Sequence, residues 1–247
     1  MILENKMKTI GLLGGMSWVS TLSYYQAINE SVKAKCGGLS SAKICLYSVN
    51  FAEIESLQHQ GKWDETAEIL IKAAKSVEAG GADFLLICTN TMHKVADKIQ
   101  ANITIPLLHV ADATATQLIS DGINTVGLLG TRFTMEQDFY KSRLSKQFGI
   151  KVIVPSVDEQ QVVHDVIYDE LCQGLLQQQS RAQYLAIIGH LFDQGAQAVI
   201  LGCTEIALLI QQEHTQVPLY NTTEIHATQA VMWALSEDKN PEGAEQT

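Results

Sequence analysis

Three separated segments of this chain recur a little over a hundred residues further on. IGLLG at 10–14 returns as VGLLG at 126–130. GADFLLICTNT at 81–91 returns as GAQAVILGCTE at 195–205. IPLLHVADATATQ at 105–117 returns as VPLYNTTEIHATQ at 217–229. The shifts are 116, 114 and 112 residues. Near-constant shifts over three segments point to an internal duplication, so the chain must fold as two similar halves.

Within each half, short apolar β-rich runs alternate with helix-length segments. The expected strands are 9–14, 44–49, 84–88 and 107–110, then 125–130, 151–155, 198–202 and 219–221. Helical patterns fill the gaps, as at 65–79, 135–148 and 181–194. Alternating β and α predicts parallel sheets covered by helices. The expected fold is therefore α/β, with two pseudo-twofold-related Rossmann-like halves, each a four-stranded parallel sheet flanked by helices. The first half is expected over 7–108, completed by a C-terminal helix at 222–236. The second is expected over 109–221, and 237–247 reads as a flexible tail. Ligands bind beyond the C-terminal ends of such strands, so the expected site is the cleft between the halves.

The repeat also sets a register. Placing Gly81 on Gly195 puts Cys88 on Gly202 and Thr89 on Cys203. The equivalent of Cys203 is Thr89, although Cys88 is the cysteine the eye picks out. Successive side chains on a strand face opposite ways. If Cys203 looks into the cleft, Thr89 does too, and Cys88 looks into the core.

Composition narrows the function. With 247 residues, 46% of them hydrophobic, and a mean hydropathy of +0.05, the chain can bury a full core. A net charge of −10 and a pI near 5.1 argue against a general nucleic-acid or membrane-surface binder. The opening MILENKMKTIGLL has no long apolar segment behind a basic region, so no export signal is expected, and Met7 is an alternative start. Five scattered cysteines then read as reduced thiols in a cytoplasm. Without HExxH, CxxC or another metal-spaced His/Cys set, no metal is expected.

Cys203 closes an apolar strand and opens what reads as a helix, CTEIALLIQ. The positive end of a helix dipole would lower its pKa toward neutrality and make it a nucleophile or general base. The plain alternative is an inert buried cysteine. GLLGGMS at 11–17 resembles a phosphate or carboxylate cradle. It is not GxGxxG, and Asn50 stands where a dinucleotide site would end its second strand with an acid. A small carboxylate remains open, with Asn50 among the candidate substrate contacts. The matched turn GTRFT at 130–134 offers hydroxyls and Arg132 for a carboxylate, although Arg132 also fits a solvated charge at a helix start. Asn90, Thr91, Thr204 and Glu205 open the two equivalent helices, either as caps or as donors at the cleft mouth. His93 lies one turn further on. Cys36, Cys45 and Cys172 read as structural.

GLLGGMSW, CTNTMH, GLLGTRFTM and ILGCTEI together resemble the cofactor-independent aspartate/glutamate racemase family, over residues 8 to about 234. The resemblance implies two α/β halves with the active site between them, a homodimer, a small dicarboxylic amino acid as substrate and no cofactor. Typical members place one cysteine from each half on either side of the substrate Cα. Cys203 matches the second cysteine. The first normally stands before Asn-Thr; here that position is Thr89, and Cys88 fills a slot usually held by proline. The chain is similar to the L-aspartate/L-glutamate subgroup with a Thr/Cys pair. That implies Cys203 takes the proton from the L-enantiomer and Thr89, through water, supports reprotonation of the other face. By the same resemblance Met16 and Ser17 lie on a substrate loop, Asn90 and Thr91 bind a carboxylate, and Thr131 and Thr134 form a second carboxylate turn. Glu55 and Cys172 stand where archetypal aspartate racemases carry basic residues, leaving Arg132 as a substitute. Rival readings are a malonate-type decarboxylase, a maleate-type isomerase and an amino-acid-binding protein without catalysis.

Overall fold

The computed structural model describes residues 7–236; the expected tail at 237–247 lies outside them. The elements run β1 (Ile10–Gly14), α1 (Trp18–Cys36), β2 (Ile44–Ser48), α2 (Phe51–His59), α3 (Trp63–Ala79), β3 (Phe84–Ile87), α4 (Ala96–Gln100) and α5 (Val110–Ser120). They continue with β4 (Thr125–Gly130), α6 (Arg132–Glu136), α7 (Asp138–Phe148), β5 (Lys151–Ile153), α8 (Val157–Asp165), α9 (Gln178–Asp193), β6 (Ala198–Gly202), α10 (Ile206–Leu209), β7 (Leu219–Asn221) and α11 (Thr222–Leu235).

Two parallel sheets result, ordered β2-β1-β3 and β5-β4-β6-β7. The central strands obey the repeat: β1 pairs with β3 through Leu13 and Ile87, and β4 with β6 through Leu129 and Leu201. Helix approach is repeated as well. A Cβ added at Gly11 would lie 2.6 Å from Val77 of α3, and one at Gly127 would lie 2.9 Å from Leu191 of α9. Only glycine lets either helix sit this close to its sheet.

The expected fourth strand of the first sheet, 107–110, does not form. It is reduced to one parallel bridge between Leu85 and Leu107. Pro106 has no N–H to extend the ladder, and His109 turns the chain into α5 by accepting from the Ala111 N–H at 3.1 Å. The segment read as one helix over 135–148 is split at Gln137, whose ψ of 152° is extended. The helix expected after Cys203 is a single turn, α10.

Alternation along the strands places the core. Leu12 faces Tyr24 and Ile28 of α1, whereas Leu13 faces Ile54, Leu70 and Val77. In the second half Leu201 joins Ile187 and Leu191, whereas Ile200 joins Tyr140 and Leu144. Helix α11 lays Ala227, Ala230, Val231 and Ala234 against Ile10, Leu12 and Tyr24. Among the described residues, no helix is long and apolar enough to cross a membrane.

Gly15, just beyond β1, has φ +92°, and a Cβ there would fall 2.3 Å from the Val49 carbonyl oxygen. Its lack of a side chain lets the following loop reach the cleft. Gly15→Ala should cost about 1–3 kcal/mol in urea unfolding; an unshifted midpoint would mean that the turn relaxes freely.

Candidate active site

A narrow cleft, with a cavity volume of about 30 Å³, lies where the strand ends of both halves meet. From the first half come Met16 and Ser17 after β1, and Thr89, Asn90 and Thr91 after β3. From the second come Thr131 after β4, and Cys203 and Thr204 after β6. Cys88 is fully buried among Leu12, Phe84 and Leu86. The one-residue register read from the repeat therefore matches the side-chain directions: Thr89 and Cys203 share the cleft, and Cys88 turns away.

The halves are joined at the cleft floor by hydroxyls. Thr91 Oγ1 lies 3.0 Å from Thr131 Oγ1 and 3.4 Å from Thr134 Oγ1. Thr131 caps α6 by accepting from the Thr134 N–H. Thr134 is fully buried and stands one layer behind the cleft wall. Asn90 Nδ2 donates to Thr222 Oγ1 at 3.0 Å, and that hydroxyl donates to the Leu201 carbonyl. This arrangement orients the Asn90 amide. Its Oδ1 is buried without a partner, an acceptor left for something else to satisfy.

Two expected contacts are elsewhere. Asn50 is exposed and caps α2, its Oδ1 accepting from the Ala52 N–H. Arg132 points away from the cleft, its guanidinium hydrogen-bonded to Gln161 and 3.9 Å from Glu136. The backbone of α6 sets that direction, since Arg132 sits on the helix's first residue beside α8. Glu55 pairs with His59 along α2.

Other cleft residues escaped sequence reading. Phe51 and Gln58 of α2 approach from the first half, and Ile167, Tyr168 and Cys172 from the second. Ile167 and Tyr168 lie on a π-helical turn, Val166–Glu170, a geometry frequent at functional sites. Gln58 Nε2 donates to the Tyr168 hydroxyl at 3.4 Å. Nothing periodic in the sequence marks that turn. Cys172, read as structural, is a wall of the cleft, and burial pushes its thiol up to about 12. Of the two places the sequence allows Glu205, a helix cap or the cleft mouth, the structure has the second: it is buried in the cleft wall.

The expectation that Cys203 has a lowered pKa is overturned. Burial, then the Glu205 and Cys172 charges, hold its thiol well above the ordinary value. A four-residue helix supplies little dipole, and a carboxylate beside a thiol favours the protonated form.

His93 stands behind Thr89. Its Nδ1–H donates to the Thr89 carbonyl at 2.8 Å, and its Nε2 accepts from the Val110 N–H at 3.2 Å. Its ring lies 4.4 Å from that of His109 and 5.9 Å from that of His226. The His226 Nε2–H donates to the Leu108 carbonyl, and its Nδ1 accepts from the Tyr24 hydroxyl. These rings tie the end of β3 to α1, α5 and α11.

The fold and cleft define a two-halved α/β protein with a cleft at paired strand ends, where ligands bind in sheets of this kind. Residues 13–230 match the family model of Asp/Glu/hydantoin racemases, and the chain belongs to that family. It is 24% identical over 232 residues to the broad specificity amino-acid racemase RacX of Bacillus subtilis (strain 168), covering 92% of this chain and 98% of that one. It is 52% identical to a candidate Asp/Glu racemase from Yersinia pestis of known structure, with a TM-score of 0.88 over 93% of this chain and 100% of that one. An aspartate racemase homologue from Pyrococcus horikoshii OT3 is 34% identical, with a TM-score of 0.82 over the same shares.

Proposed function

We propose that the chain is a cofactor-independent amino-acid racemase that acts on L-aspartate and/or L-glutamate by removing and returning the Cα proton. One observation carries this reading: Thr89 and Cys203, from equivalent strand ends, line one cleft. Cys203 works on one face of Cα as base, and Thr89, through water, supports protonation of the other. The substrate ammonium satisfies Asn90 Oδ1, and the α-carboxylate is held by the Thr91 and Thr131 hydroxyls, with Thr204, Ser17 and the Met16 loop closing the wall. A hydroxyl is a far weaker acid than a thiol, so the two faces are handled unequally. The expected homodimer and cytoplasmic location belong to the same reading.

A second reading of the substrate rests on the wall itself. Among the described residues, no lysine, arginine or histidine lines the cleft, and Glu205 does. A second carboxylate would meet only neutral donors such as Gln58 and Tyr168. This favours uncharged polar side chains alongside, or in place of, acidic ones.

Proton NMR in D2O without added cofactor separates these readings. The panel is both enantiomers of aspartate, glutamate, asparagine, glutamine and serine. Loss of the Cα–H signal from L-substrates, with slower loss from D-substrates, is the expected result. Exchange confined to the amides and serine would favour the second reading. No exchange from any substrate, with binding retained, would remove the racemase reading.

A further inference from the structure

The Cys203 thiol has a partner within the cleft wall. Its S–H donates to Glu205 Oε2 at 3.0 Å. The other carboxylate oxygen, Oε1, accepts from Ser17 Oγ at 2.8 Å and Ser20 Oγ at 2.9 Å. Glu205 is only 4% exposed, and carboxylates enter the interior only when hydrogen-bonded in this way. The titratable groups facing the pair are Cys172 from the turn after the π-helix, Tyr168 on that helix and Tyr184 on α9. None brings a positive charge. A thiol in these surroundings rests protonated near neutral pH, so it needs a place to put its proton before it can serve as a base.

We propose that Glu205 is that acceptor, and that Cys203 and Glu205 act as one acid–base unit on their face of the substrate. The resting S–H bond breaks and an O–H bond forms at Glu205 Oε2. The Cα–H bond breaks, its proton forms a new S–H bond, and the electron pair remains on Cα as a carbanion. The net transfer is one proton from Cα to the carboxylate, with sulfur as the conduit. The reverse sequence returns a proton to the same face. Ser17, bonded to Glu205 and exposed to the cleft, links the carboxyl group to cleft water. Ser20 holds the carboxylate from behind.

This inference rests on the racemase reading for its catalytic meaning, and its test has a readout that does not. Glu205→Gln and Glu205→Asp are compared with the natural chain in two assays. The first follows iodoacetamide alkylation of the Cys203 peptide by mass spectrometry across pH. The second follows the pH dependence of kcat/KM for Cα exchange. In Glu205→Gln the thiol loses its anionic neighbour, so alkylation should begin at lower pH. Exchange at pH 7 should fall roughly 30-fold or more, the deficit expected when a thiol of ordinary pKa must ionise unaided, and should recover as the pH rises through the thiol range. Glu205→Asp should keep part of the neutral-pH activity. A fall in exchange that is uniform across pH would assign Glu205 a structural role and overturn the proposal. So would an alkylation profile identical to that of the natural chain. If the natural chain exchanges no Cα proton at all, the racemase reading fails, and the alkylation profiles alone decide whether the two residues share a proton.

Discussion

Cα exchange from L-substrates should fall by about 10²–10⁴-fold in Cys203→Ala, the range expected when a positioned general base is removed. The variant should still fold, because the thiol lies on the cleft surface and is not packed at the centre of a cluster. Thr89→Ala should have a smaller effect on exchange from the L-enantiomer and a larger one on net racemisation, because it leaves the base in place and removes support for protonating the opposite face. The single-enantiomer exchange rate and the decay of optical rotation, measured side by side, separate the two steps. Full exchange in Cys203→Ala would refute the assignment of the base. Equal losses of both quantities in Thr89→Ala would show that Thr89 shapes the cleft and does not divide the faces.

The second large effect is loss of stability in mild acid. His93, His109 and His226 are all buried, and each has a ring nitrogen that accepts a hydrogen bond from the protein. Protonation would break those bonds and place charges on neighbouring rings. Burial, reinforced by neighbouring charges, pushes His93 down to about 3. His226 is pushed down to about 4, chiefly by burial. Burial and the neighbouring His93 push His109 further below the ordinary histidine range. Above about pH 6.5 both folded and unfolded chains keep these rings neutral, and they add no pH dependence. As pH falls below that value, the unfolded chain binds protons that the folded chain refuses. Each ring then removes up to about 1.4 kcal/mol of stability per pH unit, so the three together remove up to about 4 kcal/mol per unit until the native pKa values are reached. Urea unfolding between pH 7.5 and about pH 5 should therefore show a midpoint that drops steeply below 6.5. A flat midpoint across that window would mean that the core admits water or rearranges to accommodate the charge.

Much of the fold was legible because it follows from periodicity. The alternation of apolar runs and helical segments is local, and seven of the eight expected strands form at nearly the expected positions. The eighth failed at Pro106 and His109, where a missing donor and a side-chain cap compete with strand pairing. The helix after Cys203 failed because its apolar run, IALLI, serves burial: Ile206, Leu209 and Ile210 pack into the core from a single turn and an extended exit.

The candidate site divides along the same line. The duplication and the two-residue period of a strand were enough to pair Thr89 with Cys203 and to turn Cys88 inward, because both are properties of the chain's own spacing. The sequence could not say where Arg132 and Asn50 would point. Their directions depend on partners supplied by α6, α8 and the start of α2. Nor could it say that Gln58 and Tyr168, 110 residues apart, would meet over the cleft. The protonation state of Cys203 belongs to this second class. A strand-to-helix junction suggests an acidic thiol. The assembled protein sets it, half-buried, against Glu205, which two serines of the other half hold in place. A thiol's pKa is set by the charges and water around it, and only tertiary structure decides which of those are near.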